Sequence, residues 1–358
     1  MAIIEVGFAS QGQIKSFIEY KMDKDTAIKE LNDLNRKLAK DLDQIKAELA
    51  SQSLIIEDFK KTSIRDIATL ANQSTSEESN SKNTRLTFSK SFNNPSAIER
   101  NEEHEFSRRH TLVHLKSNSI CTWIPKNSCS TLRFSIAKAN GAISGIEDIN
   151  WIHKNNSSFT ASNKELLTAS YTFAILRNPF KRLLSFYCDK LCNSGSDSND
   201  KTYEVTQSIM ETNSTTTFEE FVELIWKNPN LKKANEHIQD QCDFLVYKNY
   251  HDYLPLEQYQ YTASKIHDKT GITLEDVRPF NSIHTSYGCN DSVELNYNTP
   301  GEMIGVAMSE SKKPNAKNMY NSELIKKVGF LYLSDILLYL KTIKDGNTEM
   351  SYWLKSMI

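Results

Sequence analysis

Apolar positions along the chain fall into three textures. Between about Asp25 and Leu70 they recur at helical spacing: Leu31, Leu38 and Ile45 lie seven residues apart, and Leu42 and Leu49 fill the second seam position. Acidic and basic residues are interspersed around them, which predicts a solvated helix with one apolar stripe. That stripe serves either an oligomerising coiled coil or packing against the body of the protein, and Asn35 interrupts it. From Asn72 to Pro95 apolar residues thin out into NQSTSEESNSKNTR and FSKSFNNP. Such a stretch buries too little surface to offset its ordering entropy, so it reads as a linker.

From about His104 short apolar runs alternate with helical patterns. Strands are predicted at Ser119–Ile124, Tyr171–Leu176, Phe244–Tyr247 and Met303–Met308. Helices are predicted at Cys129–Asn140, stopping at Gly141, and at Pro179–Leu191, with Pro179 in the first position and Phe180, Leu183, Leu184, Tyr187 and Leu191 on one stripe. Ser322–Leu340 reads as a closing amphipathic helix. Strand–helix–strand–helix order implies an α/β fold, a P-loop-like parallel sheet flanked by helices. The expected organisation is a helical, coiled-coil-like segment at 1–71, a polar linker at 72–100 and the main α/β domain at 101–358.

The bulk numbers narrow the function classes. A chain of 358 residues accommodates a large α/β core plus an appendage. Its formal net charge of −2 gives no polyanion-binding excess, so nucleic acid is not an expected partner and any anion site must be local. No stretch approaches the roughly 18 consecutive apolar residues of a membrane span, and Met1 to Gln11 does not read as a secretory signal. The cysteines at 121, 129, 188, 192, 242 and 289 form no metal-binding spacing, so no metal is expected. Reduced thiols in a cytoplasmic, bacterial protein are the expectation.

Two loops carry candidate chemistry. The first, Pro125-Lys126-Asn127-Ser128-Cys129-Ser130-Thr131-Leu132-Arg133, leads from a strand into a helix. Such a turn aims backbone N–H groups and the positive end of a helix dipole at one point, which suits a phosphate. Lys126 adds a charge and the hydroxyls add donors, but the glycine spacing of an ordinary nucleotide loop is missing. In the second, Leu176-Arg177-Asn178-Pro179-Phe180-Lys181-Arg182-Leu183-Leu184-Ser185, Arg177 sits at the carboxyl end of a strand, where ligands bind open α/β sheets. Arg177 and Ser185 can share one phosphate.

Together, Pro-Lys-x-x-Cys-Ser-Thr-x-Arg followed by Leu-Arg-Asn-Pro-Phe-x-Arg-Leu-x-Ser resembles the donor-site pair of sulfotransferases that use PAPS (3′-phosphoadenosine 5′-phosphosulfate), in particular the carbohydrate sulfotransferases of Golgi and bacteria. The resemblance implies the sulfotransferase fold and sulfuryl transfer from PAPS to a carbohydrate hydroxyl, with PAP as product. It implies that Pro125, Lys126, Asn127, Ser128, Cys129, Ser130, Thr131 and Arg133 form the 5′-phosphosulfate loop. Arg177 and Ser185, with Arg182, would grip the 3′-phosphate. Glu236-His237-x-x-x-Gln241, Leu256-Glu257 and Tyr332-x-x-Asp335 are weaker likenesses to later family segments.

The chemistry asks for a cation on the leaving oxygen, for which Lys126 is the candidate, and a base for the acceptor hydroxyl. His153 is the first expectation for that base and His237 the second, with Glu147 or Glu257 as carboxylate alternatives. Two other readings stay open: a Mg²⁺-dependent kinase-like enzyme, and a non-catalytic coiled-coil scaffold on a sulfotransferase-like domain. Under any of them the N-terminal helix is a candidate homo-oligomer contact.

Overall fold

The computed structural model describes Arg36 and residues 86–90, 98, 100–155, 157–192, 212–277, 295–310 and 312–357. The expected N-terminal helix and most of the expected linker lie outside the described residues, apart from Arg36.

Four strands form one sheet in the order β1 (Thr111–His114), β2 (Ser119–Thr122), β3 (Tyr171–Leu176) and β4 (Asp252–Pro255). β2, β3 and β4 are mutually parallel, while β1 pairs antiparallel with β2 through a tight hairpin. Cys121 lies opposite Phe173, and Ile175 opposite Leu254. β3 is buried along its whole length, as its unbroken apolar run YTFAIL requires of a central parallel strand. Its side chains divide by parity. Tyr171, Phe173 and Ile175 join Leu132, Ile136 and Ile266 on one face, whereas Ala174 and Leu176 join Phe180, Leu183 and Phe221 on the other.

Those layers are helical. α1 (Glu102–Arg109) precedes β1, and α2 (Cys129–Ala139), α3 (Trp151–Lys154) and α4 (Asn163–Thr168) lie between β2 and β3. α5 (Pro179–Tyr187) follows β3 and opens into a π-turn at Cys188–Cys192. α6 (Phe218–Lys227), α7 (Leu231–Ala234) and α8 (Gln241–Phe244) lead to β4, and α9 (Tyr259–Thr270) follows it. α10 (Gly301–Ser309), α11 (Ser322–Leu331), α12 (Leu333–Thr342) and α13 (Gly346–Met357) close the chain. The result is the helix-flanked sheet expected of a sulfotransferase fold.

Several elements differ from the sequence expectation. Met303–Met308 is helix, inside α10: Gly301, Ile304 and Ala307 are buried at three-residue spacing, a helical stripe that the β-branched content obscures. Phe244–Tyr247 is not a sheet strand. The Asp335 carboxylate accepts the N–H groups of Gln241 and Cys242 and starts a helical turn there, and Tyr247 makes only an isolated bridge to Phe88. The expected helix Ser322–Leu340 is two helices broken at Tyr332, whose hydroxyl donates to the Ile238 carbonyl (2.6 Å). The expected helix Pro179–Leu191 keeps α geometry only to Tyr187.

Candidate functional site

The first corner runs from β2 into α2. Lys126 (φ 69°) and Ser128 (φ 62°) both occupy the left-handed region, at a cost of about 1–2 kcal/mol each for residues with a Cβ. Ser128 is the N-cap of α2 yet makes no capping bond, so the first-turn N–H groups face outward from the positive end of an 11-residue helix. Neighbours hold this conformation. Asn127 is buried, and its Nδ2 donates to the Ile175 carbonyl (2.8 Å) and to Gln241 Oε1 (2.6 Å). Its Oδ1 is buried without a hydrogen-bond partner. A strained loop, an uncapped helix start and an orphaned buried oxygen together mark a polar site shaped for a ligand.

The second corner runs from β3 into α5. Here every backbone group near the turn has a partner. Asn178 caps α5, its Oδ1 accepting the N–H groups of Phe180 (3.0 Å) and Lys181 (3.4 Å), and Pro179 supplies the preset φ of the first turn. Glu257 accepts the Asn178 N–H (2.9 Å) through one oxygen and the Tyr339 hydroxyl (2.8 Å) through the other. Glu257 therefore braces the corner. Gln241 accepts the Arg177 N–H (3.0 Å) and donates to the Arg177 carbonyl (2.9 Å). Ser185 sits half-buried two turns into α5.

The corners meet. Arg177 Nη1 donates to the Lys126 carbonyl at 2.8 Å, and Gln241 Oε1 is shared by Asn127 and the Arg177 N–H. Gln241 is itself fixed by Asp335, which is fully buried and receives its N–H at 2.9 Å. Residues 236–242 thus form a third wall, pinned from behind by Tyr332 and Asp335. Arg182, 2% exposed, donates to the carbonyls of Pro125 (3.1 Å), Gln239 (2.6 Å) and Glu236 (3.4 Å). Its guanidinium is a strut between the first corner and the third wall.

Charge concentrates at the junction. The Lys126 ammonium pairs with Asp189 on the π-turn, both side chains nearly buried, and Lys190 Nζ lies 3.8 Å from the same carboxylate. Burial lowers the Lys126 pKa, and Asp189 opposes that shift. His237 faces this group: burial, then Lys126 and Lys190, lower its pKa to about 3. The His237 backbone N–H and ring Nδ1 both lie 3.0 Å from Asn235 Oδ1. A backbone N–H only donates, so the Asn235 atom is an acceptor and Nδ1 must carry the ring proton. Nε2 of the neutral ring then holds a lone pair.

His153, on α3, is exposed, although protein atoms crowd it enough to lower its pKa by desolvation, with Arg133 and Lys190 adding to the shift. Arg133 is buried, lies over the Trp123 ring (5.0 Å to the centroid) and donates to the Ile152 carbonyl, one residue before His153. Glu147 is exposed on a 3₁₀ turn, and nothing places it near Lys126. Asp189 and Lys190 escaped the sequence reading. Asp189 is one helical turn past Ser185, a spacing that puts both on one face.

Among the described residues, no helix is long and apolar enough to cross a membrane, and no group of three His, Cys, Asp or Glu side chains could hold a metal ion. No curated protein and no solved structure matches the chain at a significant level. A family model does: that of the sulfotransferase family matches residues 54–341, which include both corners, the third wall and the helices behind them. The chain belongs to the sulfotransferase family and is a transferase of sulfuryl groups.

Proposed function

We propose that the protein transfers the sulfuryl group of PAPS to a carbohydrate hydroxyl and releases PAP. The observation that carries this reading is the junction of the two corners, Arg177 Nη1 on the Lys126 carbonyl at 2.8 Å. One nucleotide can then engage both corners. The outward N–H groups of α2, with Ser128, Ser130 and Thr131, fit the 5′-phosphosulfate. The Arg177 fork and the Ser185 hydroxyl fit the 3′-phosphate.

The acceptor oxygen forms a bond to sulfur as the bond from sulfur to the 5′-phosphate oxygen breaks. Lys126 neutralises the charge that develops on that leaving oxygen. The hydroxyl proton goes to His237 Nε2, which the Asn235 bond leaves as an acceptor. Its low pKa in the free protein arises partly from Lys126 and Lys190. An anionic donor offsets those charges and strengthens the base when it is needed. His153, beside Arg133 rather than Lys126, is the second base in this reading. Arg182 and Glu257 are bracing groups.

Radiolabelled PAPS supplied with candidate glycans tests the activity, with products identified by mass. Calorimetry with PAP and with ATP–Mg²⁺ tests the donor. Binding of ATP–Mg²⁺ without PAP binding would refute the reading.

A further inference from the structure

Asp189 has no part in the transfer chemistry above, yet it occupies the cation on which that chemistry depends. Its placement is built into the fold. α5 ends at Tyr187, and the chain widens into the π-turn, whose Cys188, Leu191 and Cys192 are buried in the core. That anchoring leaves Asp189 and Lys190 as the turn's two polar side chains at the site, 12% and 23% exposed. Insertions of this kind re-aim side chains and concentrate at functional sites.

A carboxylate this poorly solvated is tolerated only when paired. Here it is paired with Lys126 and, at 3.8 Å, with Lys190. An anion arriving at Lys126 competes with Asp189 for one nearly buried ammonium. Two anions on that ammonium repel each other, so the newcomer must take over the contact. Lys190 lets this happen without stranding a buried negative charge, because it already stands within ion-pairing distance of the displaced carboxylate.

We propose that Asp189 is a positioning residue, the resting counterion of Lys126, which the donor's 5′-phosphosulfate displaces and Lys190 then retains, so that the Asp189–Lys190 pair sets donor affinity. The proposal rests on the donor-site reading above. In the free protein burial lowers the Lys126 pKa, and the Asp189 carboxylate opposes that shift. The lysine thus rests on a counterion that an arriving anion can exchange for.

The test is calorimetric titration of the full chain with PAP, and with adenosine 3′-phosphate, which lacks the group that meets Lys126. Asp189→Asn should bind PAP about tenfold more tightly, the scale of removing one competing, partly desolvated charge. It should leave adenosine 3′-phosphate binding unchanged, whereas a merely structural role would shift both ligands alike. Lys190→Gln, at a more exposed position, should weaken PAP binding severalfold, and that loss should vanish in the Asp189→Asn background. Unchanged or weaker PAP binding by folded Asp189→Asn overturns the proposal, as does an equal Lys190→Gln loss in both backgrounds. If wild-type protein binds PAP while these signs fail, the exchange alone is refuted. If wild-type protein binds no PAP, the donor reading falls and takes this one with it.

Discussion

The two strand-to-helix corners do similar geometric work by opposite means. At the second, between β3 and α5, side chains saturate the backbone: Asn178 caps, Pro179 presets the turn, and Glu257 and Gln241 take the remaining groups. At the first, between β2 and α2, the helix start is uncapped, and two residues with Cβ atoms sit in left-handed backbone. The second corner is a finished scaffold that presents a rigid arginine. The first leaves backbone donors unsatisfied for a ligand, and Asn127, Arg182 and Arg177 tie it to its neighbours. In the proposed mechanism, strain and unmade bonds thus concentrate where charge changes during reaction, and saturation where recognition must be stiff.

Each half of this contrast can be broken separately. Lys126→Ala should lower kcat by about 10³-fold, as removal of a charge-stabilising group does, with PAP affinity changed far less; initial rates against calorimetry show the split. Gln241→Ala should strike both corners at once, because Asn127 Nδ2 and the Arg177 N–H each lose an acceptor. A loss of about 2–3 kcal/mol in urea unfolding is expected, with kcat and PAP affinity both reduced. Arg177→Ala should weaken PAP binding roughly ten- to hundredfold, the worth of charge-assisted bonds to phosphate, and calorimetry reads it directly.

The His237 environment predicts a pH effect with a definite sign. Its folded pKa of about 3 lies below the unfolded value of ~6.5, so between these limits the unfolded chain binds the extra proton. Stability should fall as pH drops below about 6.5, by about 1–2 kcal/mol at pH 5, and His237→Gln should flatten that loss in thermal or urea melts. The smallest effects sharpen the comparison of the helix starts. Asn178→Ala should cost about 1–2 kcal/mol by removing a working cap. Ser128→Gly should raise stability by up to about 1 kcal/mol, because no cap is lost and a left-handed strain is relieved.

Much of the sheet was legible because β3 is central and parallel, and its run YTFAIL had to be apolar on both faces. The edge strands TLVH and DYLP were not legible. Four residues bearing His, Asp or Pro hold too little pattern to stand out, and the sheet alone makes them strands. Met303–Met308 misled through its apolar run, whose burial at three-residue spacing appears only in the packed chain. In the site, Lys126, Arg177 and Ser185 stood out because they follow strand ends and fall in the two segments that resemble a sulfotransferase donor site. Glu257 read as a candidate base, and only its bonds to Asn178 and Tyr339 show it bracing.

By itself the amino-acid order determined local matters: the central strand and the helices that follow its neighbours' turns, where those two turns leave strand ends, and which cations they carry. These follow from side-chain periodicity and turn chemistry, which act over a few residues. The tertiary structure alone decided that Arg177 meets the Lys126 carbonyl, that Gln241 and Asp335 lock a third wall behind them, and that Asp189 claims the lysine. Those pairings join residues 51 to 114 positions apart. Their partners are chosen by burial, where an unpaired charge or amide is too costly to leave, and no spacing along the chain encodes that choice.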